Sequence, residues 1–377
     1  MEALMRGSFE LREEIDHGGT RYFLQTSYVP NKERIESSFF KNGILFDTRS
    51  KAVDGKTPSE VLKSLSREVH NENKKRFLFM LEIQDRIRDA VNPKPHLRLA
   101  QALFKRNLYT EAIREAQQAI TKGDSSSIPL IVIGESYYKL GEHKKAFKAL
   151  DEGIKLDPEY PDLHNLIGLI YLVEQKCGMA IESFNRAIAL NLYYGEPYLN
   201  LVRALLLNTI VKEDYELSKD LDQKFKTNIE KAAQLYPFIQ GDELEEARRK
   251  FGEKDYKATL ELLDKISEMS QLDSVEDIFL DLYFSVLYAG DSLEEQDIEQ
   301  FLDKVKQIID QNPTYADGYN SLGVLYTAKC KILMDKASEA FQKALEINNK
   351  YQKAKKNLRL AENDRQGIFI LLKALLD

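Results

Sequence analysis

The sequence predicts a mainly α protein: a helix–turn–helix solenoid preceded by a small α+β domain, a four-stranded antiparallel meander plus a helix. Three observations carry that expectation. Ala112, Ala146 and Ala180 recur 34 residues apart. Twelve residues before each stands another small residue, Ala100, Gly134 and Gly168 in turn. A fixed period of this length marks stacked helix pairs, and the small residues have a physical reason. Two antiparallel helices approach closely only where their facing residues lack bulk. Ahead of the repeats, residues 8–50 alternate apolar and polar side chains with the period of a half-buried strand.

The meander is read in order. Phe9, Leu11 and Ile15 alternate with Glu10, Arg12 and Glu14, and Asp16-His17-Gly18-Gly19 breaks the run. Tyr22, Leu24 and Tyr28 share one side of the next segment, which stops at Val29-Pro30-Asn31-Lys32. Ile35 to Phe40 follows. Asn42-Gly43 then marks a tight hairpin, because both central residues of a type I′ turn need positive φ. Ile44 to Arg49 closes the set.

Thr57-Pro58-Ser59-Glu60 signals a helix start, with an N-cap hydroxyl, a proline in the first turn and a glutamate three residues on. Val61, Leu62, Leu65 and Val69 form one face, a polar stretch from His70 to Arg76 interrupts, and Phe77 to Ile87 resumes. One long helix or two joined near Asn73 both fit. The apolar face covers the meander, and residues 1–91 form the α+β domain.

Residues 92–237 hold the regular repeats. Around the small positions Leu99, Ile133 and Ile167 recur, then Leu103, Tyr137 and Tyr171. This stretch resembles the tetratricopeptide repeat (TPR) family. The second copy carries Gly134, Tyr137, Leu140-Gly141, Ala146 and the exit Leu156-Asp157-Pro158. The third carries Gly168, Tyr171, Ala180, Phe184 and Ala187, with Leu192 where the family often has proline. The first carries Ala100, Leu103, Tyr109, Ala112 and Ala119. A fourth pair, Glu196–Leu207 with Asp220–Leu235, contains an insertion near residues 208–217.

Residues 238–361 continue with degenerate pairs: 244–251 with 256–266, then 278–288 with 298–309. A clearer copy follows, with Leu322, Gly323 and Tyr326 before Ala337, Phe341 and Ala344, and a cap helix from Tyr351 to Ala361. Residues 362–377 add an apolar C-terminal helix. It either packs on the last repeat or offers a contact to a partner or a second copy, so a homodimer stays open.

Composition excludes some functions. At 377 residues the chain has room for a solenoid and a compact domain, or for two or three domains. Its net charge of −7 argues against a general nucleic-acid binder, whose affinity comes from neutralising phosphates. No run approaches the roughly 18 apolar residues of a spanning helix. The first ten residues lack a secretory pattern, so a cytoplasmic location is the expectation. Cys177 and Cys330 read as small buried hydrophobes in a reducing compartment. The histidines are scattered: His96, His143 and His164 fall in packing slots of the repeat, His17 in a turn and His70 on a polar helix face. No metal-ligand, nucleophile or phosphate-loop motif occurs. The expectation is therefore a protein that is not an enzyme and needs no cofactor. The alternatives are self-assembly through the C-terminal helix or an edge strand of the meander, and a ligand-binding or enzymatic domain over residues 1–91 targeted by the repeats.

What the family resemblance implies is a concave groove lined by the first helix of each repeat. Its first copy offers Leu97, Gln101, Phe104 and Lys105. The second offers Ile128, Ile131, Glu135, Tyr138 and Lys139, and the third Asn165, Leu169 and Leu172. The fourth adds Leu199, Asn200 and Arg203. The carboxylate clamp of one family branch needs Lys and Asn where this chain has Leu97 and Gln101, so that mode is not implied. The implied ligand is a peptide or helix of another protein. Leu169, Leu172 and Leu206 serve equally well as packing between repeats. From Asp273 to Asp310 a further acidic stretch stands out, including Asp273, Glu276, Asp277, Asp281, Asp291 and Glu294. It is either a solvated face or a lure for a basic partner.

Overall fold

The computed structural model describes residues 9–235, 239, 241–269, 275–288, 295–311, 313 and 316–376. Asp273, Asp291 and Glu294 of the acidic stretch lie outside these residues, as do the side chains of Glu276, Asp277 and Asp281. The chain forms two compact units that divide in sequence between Asp124 and Ser125. The division comes one helix pair later than the expected boundary after residue 91.

In the first unit the meander is present with its expected order. Strands β1 (Glu10–His17), β2 (Thr20–Val29), β3 (Arg34–Lys41) and β4 (Ile44–Ala52) pair antiparallel as nearest neighbours. Asn42 and Gly43 both take positive φ, 50° and 82°, as the hairpin requires. Alternation sends Tyr22, Leu24, Ile35 and Phe39 to one face, where they are buried. Helix α1 (Ser59–Ile87) covers that face as one unbroken 29-residue element. Its start differs from expectation. Pro58 takes the cap position and no side chain caps the helix, so the Thr57 hydroxyl is not used.

The polar stretch of α1 has a buried purpose. His70, expected on a polar face without a partner, is buried, with Nδ1 3.0 Å from Thr26 Oγ1 and Nε2 3.4 Å from Glu13 Oε2. Thr26 Oγ1 lies 2.8 Å from Ser37 Oγ, which accepts a bond from Asn73 Nδ2. Hydroxyl, imidazole and carboxylate follow one another as in a nucleophile relay. Thr26 and Ser37, however, are fully buried between sheet and helix. The array satisfies polar groups there and pins the register of α1 on the sheet. Glu13 is held below its ordinary value of 4.5, chiefly by the 2.5 Å bond from Lys74, against the opposing effect of burial. A carboxylate lowered in this way contributes stability above its unfolded pKa and loses it as pH falls through the folded value. Amide protection in β2, taken relative to the intrinsic exchange rate at each pH, is therefore expected to fall as pH drops below about 4.5, and Glu13→Gln to flatten that dependence.

The first repeat pair, α2 (Lys94–Lys105) and α3 (Tyr109–Thr121), belongs to this unit. Side chains explain why. Gln84 of α1 donates to Glu115 Oε1 at 3.0 Å, and Glu115 Oε2 lies 2.8 Å from Nδ1 of buried His96. Lys41 at the end of β3 pairs with Glu111 of α3. His96 thus fills its packing slot with a polar partner attached.

In the second unit the regular pairs are α4 (Ile128–Lys139) with α5 (His143–Leu156) and α6 (Pro161–Val173) with α7 (Cys177–Leu190). The fourth pair is α8 (Glu196–Val211) with α9 (Leu221–Leu235). The small crossing residues do what the spacing implies. A Cβ on Gly134 would lie 2.5 Å from Leu150 Cδ2, and one on Gly168 2.5 Å from the Phe184 ring. Ala146, Ala180, Leu150 and Phe184 are fully buried at these crossings.

The insertion lengthens α8 and loops back to the neighbouring helix. Asn208 holds the loop through Asp214 and Ser218. Glu213 Oε2 accepts the backbone N–H of Cys177 at 2.7 Å, which satisfies one of the orphan donors at the start of α7. Burial and that carboxylate push the Cys177 thiol up to about 12.

The later part departs from a regular solenoid. Helices α10 (Asp242–Gly252) and α11 (Tyr256–Met269) pair as expected. It is the second of them, α11, that lies against α8, where the regular order would bring the first. Helix α13 (Glu295–Gln311) packs on α14 (Ala316–Ile347), and α12 (Val275–Tyr288) touches α14 and α15. α14 is one 32-residue helix, not the expected helix–turn–helix copy. α15 (Gln352–Leu376) likewise runs unbroken through the expected cap and C-terminal helices. Leu372 and Leu376 are buried, so the apolar terminus packs back in part. Cys330 is exposed on α14 and not buried. No helix among the described residues is long and apolar enough to cross a membrane.

A polar rail on the inner face of the repeats

Helices α4, α6 and α8 lie side by side as the first members of their pairs. Their apolar faces enter the core, and the polar residues between them form a continuous chain of hydrogen bonds. Asn165 on α6 donates from Nδ2 to the Tyr194 hydroxyl at 3.2 Å, and that hydroxyl lies 3.4 Å from Glu196 Oε2. Asn200 on α8 donates to Asn165 Oδ1 at 3.0 Å and to Glu196 Oε1 at 3.5 Å. Arg203, one turn on, donates from Nη1 to Asn200 Oδ1 at 2.7 Å. Asn165 and Asn200 are 1% and 0% exposed, so each bond replaces one that water cannot supply. Bonds linked head to tail polarise one another, which stiffens the rail.

The rail ends on α11. Arg203 Nε donates to Asp264 Oδ1 at 2.7 Å, and Nη1 approaches Ser267 Oγ at 3.4 Å. The guanidinium expected to meet a partner is thus held by the chain itself. Around it lie Tyr138 and Lys139 at the end of α4. Burial raises the Tyr138 pKa, and the Tyr138 ring rests 5.7 Å from that of His143. Lys139 keeps contact with water, yet the surrounding protein lowers its pKa against the raising pull of Glu135, Glu196 and Glu268. Tyr194 titrates well above 10, raised first by burial and then by Glu196 and Asp162.

The remaining candidates divide clearly. Ile131 and Leu199 are buried core residues, as are Leu169, Leu172 and Leu206. Glu135, Tyr138 and Arg203 are half-buried and Lys139 is exposed. Gln101, Phe104 and Lys105 belong to the first unit. There Gln101 accepts from Arg98 at 3.3 Å, Phe104 lies 5.5 Å from the Tyr109 ring, and Lys105 is half-buried. Tyr194, Glu196, Asp264 and Ser267 were not legible as members. Tyr194 sits in a connecting loop, and α11 is a second helix by sequence order, which the repeat pattern assigns to the outer layer.

The rail holds its own side chains in fixed orientation through these intramolecular hydrogen bonds. Among the described residues no group of three His, Cys, Asp or Glu is placed to hold a metal ion.

Comparison with known proteins agrees with the repeat assignment. Residues 134–173 match the family model described as TPR repeat. The chain is 27% identical over 107 residues to the DnaJ homolog subfamily C member 3 homolog of Dictyostelium discoideum, across 28% of this chain. It spans only 21% of the length of that curated relative. Among solved structures, MamA is 20% identical with a TM-score of 0.36, over 43% of this chain and 93% of its own. YrrB, described as a TPR protein with an unusual peptide-binding site, is 17% identical with a TM-score of 0.31, over 54% and 98%. The hetero-tetramer Cut9–Hcn1 of the APC/C matches at 15% identity and a TM-score of 0.39, over 72% and 49%. These are likenesses of fold alone.

Proposed function

We propose that this chain, a carrier of tetratricopeptide repeats, is a non-catalytic interaction scaffold. Its inner face on α4, α6 and α8 receives an extended peptide of another protein. The observation that carries the reading is the pair of partly open side chains beside the rail. There Tyr138 and Lys139 keep part of their surface open, while Asn165, Tyr194, Asn200 and Arg203 form a fixed floor. A stiff floor lowers the ordering cost of binding, because few groups must be immobilised when the ligand arrives. Arg203 and Asp264 cancel one another. Glu135, Glu196 and Glu268 act together on Lys139, so a peptide carrying lysine or arginine complements the acidic side of the site.

The test leaves the rail intact. Partners captured by the full chain are compared with those captured by a Tyr138→Ala, Glu135→Lys, Glu268→Lys variant whose melting is checked first. A partner lost in the variant, with its contact mapped to α4 by cross-linking, is the expected result. Retention of every partner would reject the inner face as the binding surface.

A further inference from the structure

In sequence, Gly323 and Ala337 belong to the two halves of a closing helix pair and are expected to pack on one another. Because α14 runs straight through, they cannot. They fall instead on one stripe of a single helix. From Tyr319 the stripe passes through Gly323, Tyr326, Cys330 and Leu333, in alternating steps of four and three. The rhythm continues through Ala337, Ala340, Ala344 and Ile347. Alternating steps of four and three are the spacing of a coiled-coil seam.

This seam faces water. Tyr319, Tyr326 and Leu333 are 51%, 45% and 49% exposed, and a Cβ on Gly323 would meet nothing within 4 Å. The helix is held on its other sides. Lys329 and Lys336 pair with Glu299 and Glu295 of α13, and Asp335 Oδ1 is 3.3 Å from Arg365 of α15. Apolar side chains at coiled-coil spacing, on the open side of a helix already anchored twice, lack one packing layer.

We infer that this layer is a second copy of the chain, with two α14 helices paired antiparallel about a twofold axis. The distribution of bulk selects that occupant. The first half of the seam carries Tyr319, Tyr326 and Leu333; the second half carries Ala337, Ala340 and Ala344. Antiparallel pairing in a–d layers sets Tyr326 against Ala337 of the second copy and Tyr319 against its Ala344. Leu333 meets its Cys330, and symmetry repeats each contact. A ring then enters the spaces left by Ala337 and Ala344, while Ala340 meets Gly323 of the second copy, where two small residues let the backbones come close. Parallel pairing would stack tyrosine on tyrosine and alanine on alanine, which clashes at one end and leaves gaps at the other. Charge does not oppose the arrangement, because Lys329 and Lys336 on the seam's border already carry glutamate counter-charges.

The area sets the strength. At 1.5 Å per residue the seam is about 42 Å long, and a helix is about 12 Å wide. About 500 Å² per copy, or roughly 1,000 Å² in all, is at the lower limit of a specific interface and fits a micromolar dimer.

Light scattering and sedimentation of the full chain from low to high micromolar concentration test the inference. The expected result is a mass rising from monomer to dimer, with alkylation of Cys330 slowing in step. Tyr326→Glu and Ala340→Glu, both at exposed positions, are expected to keep the circular dichroism and weaken association by about tenfold or more. A second measurement fixes the register. In a Cys330→Ser background, a mixture of Tyr326→Cys and Ala337→Cys chains should cross-link on oxidation, while neither does so alone. Three results would each overturn the inference. They are a monomer at every concentration, a dimer indifferent to both glutamates, and cross-linking of either single variant with itself.

Discussion

Arg203→Glu is expected to destabilise the second unit by about 3 kcal/mol and to free α11 from α8. The native guanidinium is largely out of water and donates to Asp264, Asn200 and Ser267. A glutamate there loses those bonds and sets a second carboxylate beside Asp264. Glu196 and Glu268, which already act on neighbouring Tyr138, add to the repulsion. Asp264 is 45% exposed and recovers some hydration, which keeps the cost below that of a fully buried charge. Arg203→Lys retains the charge but cannot reach both acceptors with one fork, so it should cost about 1–2 kcal/mol. Denaturant unfolding reads the total. Amide exchange locates it: α11 should exchange faster while α4 to α7 keep their protection. The double variant Arg203→Glu, Asp264→Arg should recover part of the loss. Unchanged exchange in α11 would show that the ion pair does not hold this helix. Any loss of partner binding in an Arg203 variant therefore has to be separated from loosening of the fold.

Gly168→Val should cost about 3 kcal/mol at the crossing of α6 and α7. The new Cβ alone would lie 2.5 Å from Phe184 Cε1 and 2.7 Å from Cδ1, and the valine methyls reach farther. Phe184 is fully buried and has no direction in which to yield. With about 2–4 °C lost per kcal/mol in a unit of this size, the melting temperature should fall by about 6–12 °C. Gly134→Ala should be milder. It sets a single methyl against Leu150, without the further methyls of valine, and it gains up to about 1 kcal/mol of helix propensity. A Gly168→Val protein melting with the wild type would refute close packing as the reason for the small residue.

These two positions also show how legibility differed along the chain. Gly168 could be read because its role is local. It repeats in phase with Ala100 and Gly134, and the constraint is helix contact distance. The meander was legible for the same reason, since alternation and Asn42-Gly43 specify pleat and turn within a few residues. Arg203 was legible as a position but not in its engagement. Its partner Asp264 lies 61 residues away, on a helix the repeat order places elsewhere. His70 escaped in the same manner, because its partners Thr26 and Glu13 come from strands that pass beneath it only after folding.

The sequence by itself determined the periods: strand alternation, the 34-residue spacing and the small residues at each crossing. Those follow from side-chain placement along a single element and from how near two neighbouring elements can come. Only the tertiary structure decided which helix faces α8, whether α14 turns or runs through, and which polar residues meet in the rail. In the degenerate region the 34-residue period loosens, so several pairings satisfy the local pattern equally. The choice falls to burial and to the satisfaction of buried polar groups, both of which depend on contacts distant in sequence.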